Sequence, residues 1–354
     1  MRLKIEKRAI VSPITRAFAL ILAIVIALAI SSILFNMAGV DPFVAYASLF
    51  YGAFGSIYGI SETIIKTTPL LLIGLGMCIA FRSKIWNIGG EGQYVMGAII
   101  ATVIGVFFPS ISSFLLILTI ILASFFVSAL WGALAGFLKA KLEVNEIIVT
   151  IMLNYIAIYF LYYLIRGPFK DQTIVGGFPQ SPPIDKSATL PIIFPGLRIN
   201  LGIIIAIAIA ILAYVLLFKT TLGYKIRIVG LNPVAANYGG ISVTKIIMLS
   251  MFISGGLAGI AGAIEICGVH GRLLDGIVAG YGYIGIVVAL LGELHPIGII
   301  LAAIFFGAMI VGMQEMQRTI RVPFALIQSM EGLIIILVLI TSLIMQYKIT
   351  FKKE

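Results

Sequence analysis

The sequence predicts an all-α polytopic membrane protein with about ten transmembrane helices, and three observations support this fold class. Hydrophobic residues make up 61% of the 354 residues and charged residues only 11%, whereas soluble domains are about half apolar and about a quarter charged. Several charge-free runs reach the roughly 20 apolar residues that a helix needs to cross a bilayer. The cations lie in short clusters between these runs, which is typical of membrane topology. These observations exclude a water-soluble enzyme, a disordered chain and a nucleic-acid-binding domain.

Candidate spans follow one another along the chain, separated by charged or turn-forming residues. The first apolar run follows a basic N-terminal segment, residues 1–16, and is longer than the ~7–15 residues of a signal-peptide core, so we expect a retained anchor. The run at 92–138 is too long for one helix, and turn chemistry at 108–113 divides it in two. The predicted spans are 17–40, 67–81, two within 92–138, 147–165, 199–218, 246–264, 276–292, 296–313 and 322–347.

These spans place both termini on one side of the membrane. About twice as many lysines and arginines fall on that side as on the other, and in membrane proteins the excess of cations lies in the cytoplasmic loops. We therefore expect both termini to be cytoplasmic. Eight crossings are the alternative, if the 67–81 run or the 276–313 pair is partly re-entrant. In either case, residues 1–354 are expected to form a single membrane-embedded domain.

Two loops between the spans have distinct compositions. Residues 167–197, the proline-rich loop, are too polar to span a membrane, and we expect them to be extracytoplasmic. Residues 219–245, the basic loop, are expected to be cytoplasmic because of their lysines and arginines. Asn232 followed by Pro233 is a helix-start signal, so the basic loop is predicted to carry a short surface helix.

The sequence contains no recognisable catalytic constellation. The GxxxxGK[ST] phosphate loop is absent, so ATP hydrolysis by this chain is not expected. Residues 280–285 match GxGxxG, but they open a membrane helix instead of following a strand, and we interpret them as a glycine-hinged helix start. Two isolated histidines do not indicate a zinc site. The chain is therefore not expected to be an enzyme or to bind a metal or cofactor.

The densest polar cluster within the apolar sequence covers residues 86–93. Gly89, Gly90 and Gly92 weaken a helix there. Backbone groups freed by such a break are tolerated at membrane depth only beside protein or a water-filled cavity, and broken helices point at the substrate in many transporters. We expect this cluster to line a substrate path. The alternative is a loop at the inner surface that only turns the chain.

Other intramembrane polar residues have both functional and structural interpretations. Glu146 and Asn154 lie on roughly one helix face, where they could contact a substrate or, with Asn145, form interhelical hydrogen bonds. Glu265 and Glu331 are isolated acids that could couple protons or form buried ion pairs. Small residues at three- and four-residue spacing indicate close helix packing. They are Gly255, Gly256, Gly259 and Gly262.

Four segments resemble blocks of the permease subunits of ABC importers for nucleosides and simple sugars, within the wider branched-chain amino acid and ribose permease family. Residues 81–93 are similar to the F-N-I-G-x-E-G-Q signature of these subunits. The other segments are 146–155, 230–241 and 280–292, and the resemblance runs in order from about residue 40 to about residue 345. Gly90 stands where alanine is common, and the turn at 293–295 departs from the polar turn expected of the family.

The resemblance implies an all-helical permease with three kinds of protein partner. These are a similar second permease subunit, a separate ATP-binding-cassette ATPase that binds ATP and Mg²⁺, and an extracytoplasmic substrate-binding lipoprotein. The implied location is the cytoplasmic membrane of a bacterium or an archaeon. The intramembrane polar residues described above give the expected substrate path, which comprises Trp86, Asn87, Glu91, Gln93, Glu146 and Asn154. The basic loop becomes the ATPase coupling loop, and its implied contact residues are Gly230, Asn232, Pro233, Ala235, Ala236, Gly239 and Gly240.

The solute is expected to be neutral and polar. No lysine or arginine lies well inside a predicted span, which disfavours an anion, whereas Glu91, Glu146 and Glu265 leave a cation open. Amide and hydroxyl groups beside aromatic residues suit a neutral molecule with a ring, and the resemblance implies a nucleoside first and a simple sugar second. The main alternative is a proton-coupled secondary transporter that uses intramembrane carboxylates. A channel or scaffold and a membrane enzyme are further alternatives.

Overall fold

The computed structural model describes residues 2–7, 12–109, 112–173 and 177–352. Parts of the predicted N-terminal segment, of the predicted turn at 108–113 and of the proline-rich loop lie outside the described residues, as do residues 353–354. The chain divides into two compact units. Unit 1 comprises Met1–Ile60 and Met309–Glu354, and unit 2 comprises Ser61–Ala308.

The described secondary structure is almost entirely helical. The α-helices are α1 (Pro13–Met37), α2 (Pro42–Phe54), α3 (Ile57–Arg82), α4 (Gly90–Phe107), α5 (Ser113–Leu142), α6 (Glu146–Arg166), α7 (Gly202–Lys219), α8 (Thr221–Leu231), α9 (Pro233–Tyr238), α10 (Val243–Glu265), α11 (Tyr281–Leu291), α12 (Pro296–Ile320) and α13 (Phe324–Gln346). Within the described residues, nine helices are long and apolar enough to span a membrane, namely α1, α3 to α7, α10, α12 and α13. The predicted all-α membrane fold is therefore confirmed.

Two predicted spans differ from the observed helices. The prediction of a full-length helix at 276–292 is wrong, because α11 covers only Tyr281–Leu291 and Gly280 before it has a φ of 78°. Helix α3 begins at Ile57, well before the predicted run at 67–81. The charged residues that end the apolar run of α3 are paired, because Glu62 lies 3.1 Å from Arg198 and Lys66 lies 3.6 Å from Glu265.

In unit 1, both ends of the chain lie together. Strand β1 (Arg2–Lys7) pairs antiparallel with strand β2 (Tyr347–Lys352), and α1 packs against α13. The two termini are therefore at the same end of this unit, as the even number of predicted spans requires. The assignment of that end to the cytoplasm stays a prediction. Neither strand was predicted, because both segments are basic in sequence and flank apolar runs.

Unit 2 is built around α10, which packs against α4 and α5. Glycines allow the close approach, because a Cβ on Gly97 would collide with the backbone of Gly259, and a Cβ on Gly262 would collide with the backbone of α4. On the other side, a Cβ on Gly255 would lie 2.5 Å from the carbonyl oxygen of Ser128 on α5. The close packing predicted for this glycine-rich stretch is confirmed.

The two loops mark opposite ends of unit 2. At the proline-rich end, the amide of Asp185 donates to the carbonyl of Gly105 in the last turn of α4, at 2.9 Å. At the basic end, Nε of Arg82, the last residue of α3, donates to the carbonyl of Leu294, which follows α11, at 2.8 Å. Gly230 of the basic loop packs against the backbone of Arg82.

Two passes through unit 2 are helical over only part of their length. Helix α4 starts at Gly90 after a non-helical segment, residues 83–89, and Asn87 of that segment contacts Ser254 halfway along α10. Helix α11 starts at Tyr281, and Gly282 in its first turn lies against the backbone of Glu91. Since α4 runs toward the proline-rich end and α11 toward the basic end, the N-termini of the two helices meet inside the bundle.

The α4–α10 contact yields a stability prediction. We expect Gly97→Ala to lower the free energy of unfolding by about 1–3 kcal/mol, because the new methyl group has to displace the backbone of α10. Gly332→Ala in α13 is the control, since no atom lies within 4 Å of its Cβ, and alanine favours a helix over glycine by about 1 kcal/mol. The check is the melting temperature in detergent, and equal melting of Gly97→Ala and the wild type would contradict the packing argument.

Candidate functional site

The non-helical segment before α4 is held by an amide pair. Asn87 is completely buried, and its Oδ1 accepts hydrogen bonds from the amide of Gly89 at 2.9 Å and from Nε2 of Gln93 at 3.1 Å. Its Nδ2 donates to Oε1 of Gln93 and to Oγ of Ser254, both at 2.9 Å. Every donor and acceptor of the Asn87 side chain is therefore used, as a buried amide requires.

Helix α6 supplies a second set of partners to the same segment. Oδ1 of Asn154 accepts from the amide of Gly92 at 2.8 Å, and its Nδ2 donates to the carbonyl of Ile88 at 2.8 Å. Oγ1 of Thr150 accepts from the amide of Ile88 at 3.3 Å. These hydrogen bonds satisfy backbone groups of Ile88 and Gly92 that have no partner within a helix, because the chain is not helical before Gly90. Inside a membrane, water is not available to bind such groups.

Glu91 joins the two helix N-termini. Its carboxylate is buried, and it accepts hydrogen bonds from the amide of Gly280 at 2.9 Å and from the amide of Gly282 at 2.6 Å. An anion at a helix N-terminus is stabilised by the unpaired amides and by the helix dipole. Glu91 of α4 thus occupies the anion position of α11. The structure confirms the interpretation of residues 280–285 as a glycine-hinged helix start.

The predicted path residues therefore divide into two groups. Asn87, Glu91, Gln93 and Asn154 come together around the meeting point of α4 and α11, which we call the junction. Trp86 is half-exposed and packs on Phe81, with ring centroids 4.9 Å apart. Glu146 lies about two turns before Asn154 on α6 and pairs with Lys139 across the α5–α6 turn at 2.8 Å. Both interpretations of Asn154 and Glu146 remain compatible with these contacts, and their role in a path stays a prediction.

Sequence reasoning missed several residues of the junction. Thr150, Ser254 and the amides of Gly280 and Gly282 carry essential hydrogen bonds, and Tyr283 places its hydroxyl 3.3 Å from Nδ2 of Asn154. No sequence pattern marks Thr150 and Ser254 as junction residues, because serine and threonine are common in membrane helices. The glycine pair did have a signal, since its spacing opens a helix, but its partner could not be identified from the sequence.

An aromatic face of α6 lies beside the junction. Tyr155 and Tyr159 are stacked, with ring centroids 6.4 Å apart and planes inclined by 24°, and Tyr163 continues the row toward the proline-rich end. These three rings and Tyr283 are 42% to 65% exposed in the monomer. Phenol hydroxyl groups are costly to leave in hydrocarbon, so this face is better suited to protein or solute than to lipid tails. The four-residue spacing of these tyrosines was visible in the sequence.

A buried charged cluster ties the start of α11 to α3 and α10. Nζ of Lys66 donates to the hydroxyl of Tyr281 at 2.8 Å and lies 3.6 Å from Oε1 of Glu265. Nε2 of His270 lies 3.4 Å from the same oxygen. The structure thus pairs Glu265 with Lys66, in line with the ion-pair interpretation of this isolated acid.

The basic loop contains the short helix that its sequence predicts. Oδ1 of Asn232 accepts from the amides of Val234 and Ala235 at 3.0 and 3.1 Å, and Pro233 occupies the first turn of α9. Of the other predicted contact residues, Gly230 and Ala236 are buried, whereas Ala235, Gly239 and Gly240 are exposed. Exposed apolar side chains on this segment are Leu231, Val234 and Tyr238.

The proline-rich loop also presents exposed apolar rings, at Phe178 and Phe194. Part of the loop is fixed by Asp185, whose carboxylate accepts from the hydroxyl of Ser187 at 2.6 Å and from its amide at 2.8 Å. These hydrogen bonds hold the pKa of the Asp185 carboxyl below its usual range. Each end of unit 2 therefore carries a loop whose described part exposes apolar groups.

The family model and three similar proteins that match this chain are all described as transport permeases. Residues 59–343 match the family model described as branched-chain amino acid transport system / permease component. The chain is 38% identical to the guanosine ABC transporter permease protein NupP of Bacillus subtilis, over 90% of this chain and 91% of that protein. It is 31% identical to the glucose ABC transporter permease protein TsgB13 of Haloferax volcanii, over 93% and 88% of the two chains.

A third relative is the nucleoside ABC transporter permease protein NupB of Lactococcus lactis, which is 33% identical over 82% of this chain and 82% of that protein. No solved structure matches this chain.

Substitutions of Glu91 test the hydrogen bonds at the junction. We expect Glu91→Leu to lower the free energy of unfolding by about 2–6 kcal/mol, because two buried amides lose their acceptor at roughly 1–3 kcal/mol each. Glu91→Gln should cost less, since its one carbonyl oxygen still accepts from one amide. Thermal unfolding in detergent gives the order. A Glu91→Gln variant as unstable as Glu91→Leu would show that the two amides do not depend on this side chain.

Proposed function

This chain belongs to the family of permease components of branched-chain amino acid transport systems, and from that membership we propose that it forms the membrane path of an ATP-driven nucleoside importer. The observation that carries the proposal is the junction, where two interrupted passes meet with their N-termini inside the bundle. Discontinuous helices that meet at membrane depth form the substrate sites of many transporters. The relatives named above are all ABC transporter permeases, which favours ATP coupling over the proton-coupled alternative.

The charge balance around the junction supports a neutral solute. The Glu91 carboxylate is already bound by two backbone amides, and Lys66 is paired with Glu265. A cationic or anionic solute would have to displace one of these partners, at the cost of leaving a buried charge unpaired. A neutral polar solute needs no such displacement.

The aromatic face of α6 supports a solute with a planar ring. Stacked, half-exposed tyrosines at Tyr155 and Tyr159 present ring faces and hydroxyl groups together. Aromatic rings stack on any nucleobase, because every base has a π-face. The phenol hydroxyl groups can also form hydrogen bonds with the polar edge of a base or with a sugar. Two of the three relatives described above carry guanosine or nucleoside in their names, whereas a simple sugar is the second candidate because another is named for glucose.

Energy and solute delivery are assigned to partners. The chain has no phosphate-loop motif, so a separate ATPase subunit with ATP and Mg²⁺ would dock on the end of α8 and on α9, through Leu231, Val234 and Tyr238. A second permease would cover the aromatic face of α6 and close the path between the two subunits. A binding lipoprotein would dock on the proline-rich loop at the outer face of the cell membrane.

The direct experiment is ATP-driven uptake. The chain would be co-expressed with a candidate ATPase, second permease and binding lipoprotein from the same genome and reconstituted in vesicles. We expect uptake of radiolabelled guanosine or uridine that requires ATP and is not reduced by excess leucine. Uptake by the isolated chain under a pH gradient would overturn the proposal, and competition by glucose but not by nucleosides would move the substrate to sugars.

A pair of substitutions tests the two docking surfaces. Tyr238 on α9 and Phe178 in the proline-rich loop are each 91% exposed, so neither should be needed for folding. We expect Tyr238→Glu to abolish co-purification of the ATPase while leaving the binding lipoprotein bound, and Phe178→Glu to do the reverse. Both variants should insert normally into the membrane. Retention of both partners by both variants would contradict the assignment of these surfaces.

The aromatic face yields a substrate prediction. We expect the double variant Tyr155→Leu, Tyr159→Leu to raise the KM for nucleoside uptake about tenfold or more, since stacking contributes roughly 1–3 kcal/mol per base. Replacing both residues with phenylalanine keeps the rings and should restore the KM. Phe160→Leu, on another face of α6, is the matched control. An unchanged KM in the double leucine variant would place the solute elsewhere.

A further inference from the structure

At the basic end of unit 2, side chains from three separate parts of the chain surround the ring of Phe218, the penultimate residue of α7. The guanidinium of Arg82 lies 4.9 Å from the ring centroid, and that of Arg227, on α8, lies 5.4 Å from it. The imidazole of His295 lies 5.1 Å away, between α11 and α12. We call Phe218, Arg82, Arg227, Leu294 and His295 the Phe218 cluster.

The cluster reaches both interrupted passes. Arg82 is the last residue before the non-helical segment that leads into α4. The carbonyl of Leu294, just after α11, accepts from Nε of Arg82 at 2.8 Å and from Sγ of Cys78 at 2.9 Å. Two donors of α3 therefore bind one carbonyl in the turn after α11, so a displacement of Arg82 acts on the ends of both helices.

The turn that holds Leu294 is conformationally strained. Glu293 and Leu294 have φ values of 55° and 54°, a left-handed conformation that bulky residues rarely adopt. Such a conformation persists only where the surrounding contacts impose it. The bond from Arg82 is one of those contacts, so loss of this bond would allow the turn to relax. The conformation of this turn therefore depends in part on Arg82, so a movement of Arg82 would act on the turn as well.

We propose that the Phe218 cluster transmits movement of the basic loop to both sides of the junction, an inference that rests on the proposed function. Arg227 and Gly230 belong to the basic loop, and Gly230 packs directly on the backbone of Arg82. A shift of α8 and α9 moves Arg227, Phe218 and Arg82 together. Through Leu294, the same shift reaches α11. Phe218 and Arg82 are positioning residues, since they need not touch the solute.

The test uses the assembled transporter in vesicles and measures nucleoside uptake, basal ATP hydrolysis and the stimulation of hydrolysis by the loaded binding lipoprotein. We expect Phe218→Ala to keep assembly and basal hydrolysis but to lower uptake per ATP hydrolysed about fivefold or more, in line with the loss of two cation–π contacts. Phe218→Tyr keeps the ring and should restore coupling. Phe137→Ala, which removes a half-exposed ring of α5 outside the cluster, is the matched control.

Two results would overturn the proposal. One is a Phe218→Ala transporter with normal uptake per ATP, and the other is a proportional loss of uptake and basal hydrolysis that Phe218→Tyr does not rescue. Arg82→Lys provides a second variant if Phe218→Ala fails to fold, because it keeps the charge but lacks the Nε donor, and it should also uncouple. Absence of ATP-driven nucleoside uptake in the wild type would instead refute the proposed function.

Discussion

The need to pair every backbone polar group inside the membrane governs this structure. A helix satisfies its own amides and carbonyls, but the segment before α4 and the start of α11 cannot, and water is not available at that depth. The chain meets this need with side chains, because Asn87 and Asn154 bind the backbone of the break and Glu91 binds the amides at the start of α11. Without these bonds, the two interrupted passes would be more costly than continuous helices, and the junction would not form.

This requirement gives the polar cluster a structural role. Polar residues in a membrane span are candidates for solute contacts, yet the side chains of Asn87, Gln93 and Glu91 have their hydrogen bonds engaged within the protein. Their burial makes the junction a rigid feature that keeps the two N-termini in place. The groups still free to meet a solute lie beside it, on the exposed rings of Tyr155, Tyr159 and Tyr283. A rigid junction flanked by an open aromatic surface also suits alternating access, because whole helices can move while the break keeps its internal bonds.

The fold was largely predictable because membrane helices obey simple local rules. Length and hydropathy located most of the spans, the glycine-rich stretch in α10 indicated close packing, and the Asn232-Pro233 pair located α9. The predictions differed from the structure where a residue depends on a distant partner. In the sequence, Lys66 limits the apolar run that predicts the span at 67–81, but in the structure Glu265 on α10 pairs with Lys66 and the helix continues through it. The run at 276–292 is apolar enough to span a membrane, but its glycines and its contact with Glu91 shorten the helix to α11.

The sequence by itself determined that this is a membrane protein, that most of its passes are helical and that the glycines within residues 86–93 interrupt the helical pattern. These properties follow from composition and from glycine spacing, which act over a few residues. Only the tertiary structure decided that the broken pass meets α11 through Glu91, that Glu146 pairs with Lys139 instead of joining the junction, and that Phe218 collects side chains from three segments. Such contacts join residues far apart in the chain, and their geometry depends on how the helices cross, which no local pattern encodes.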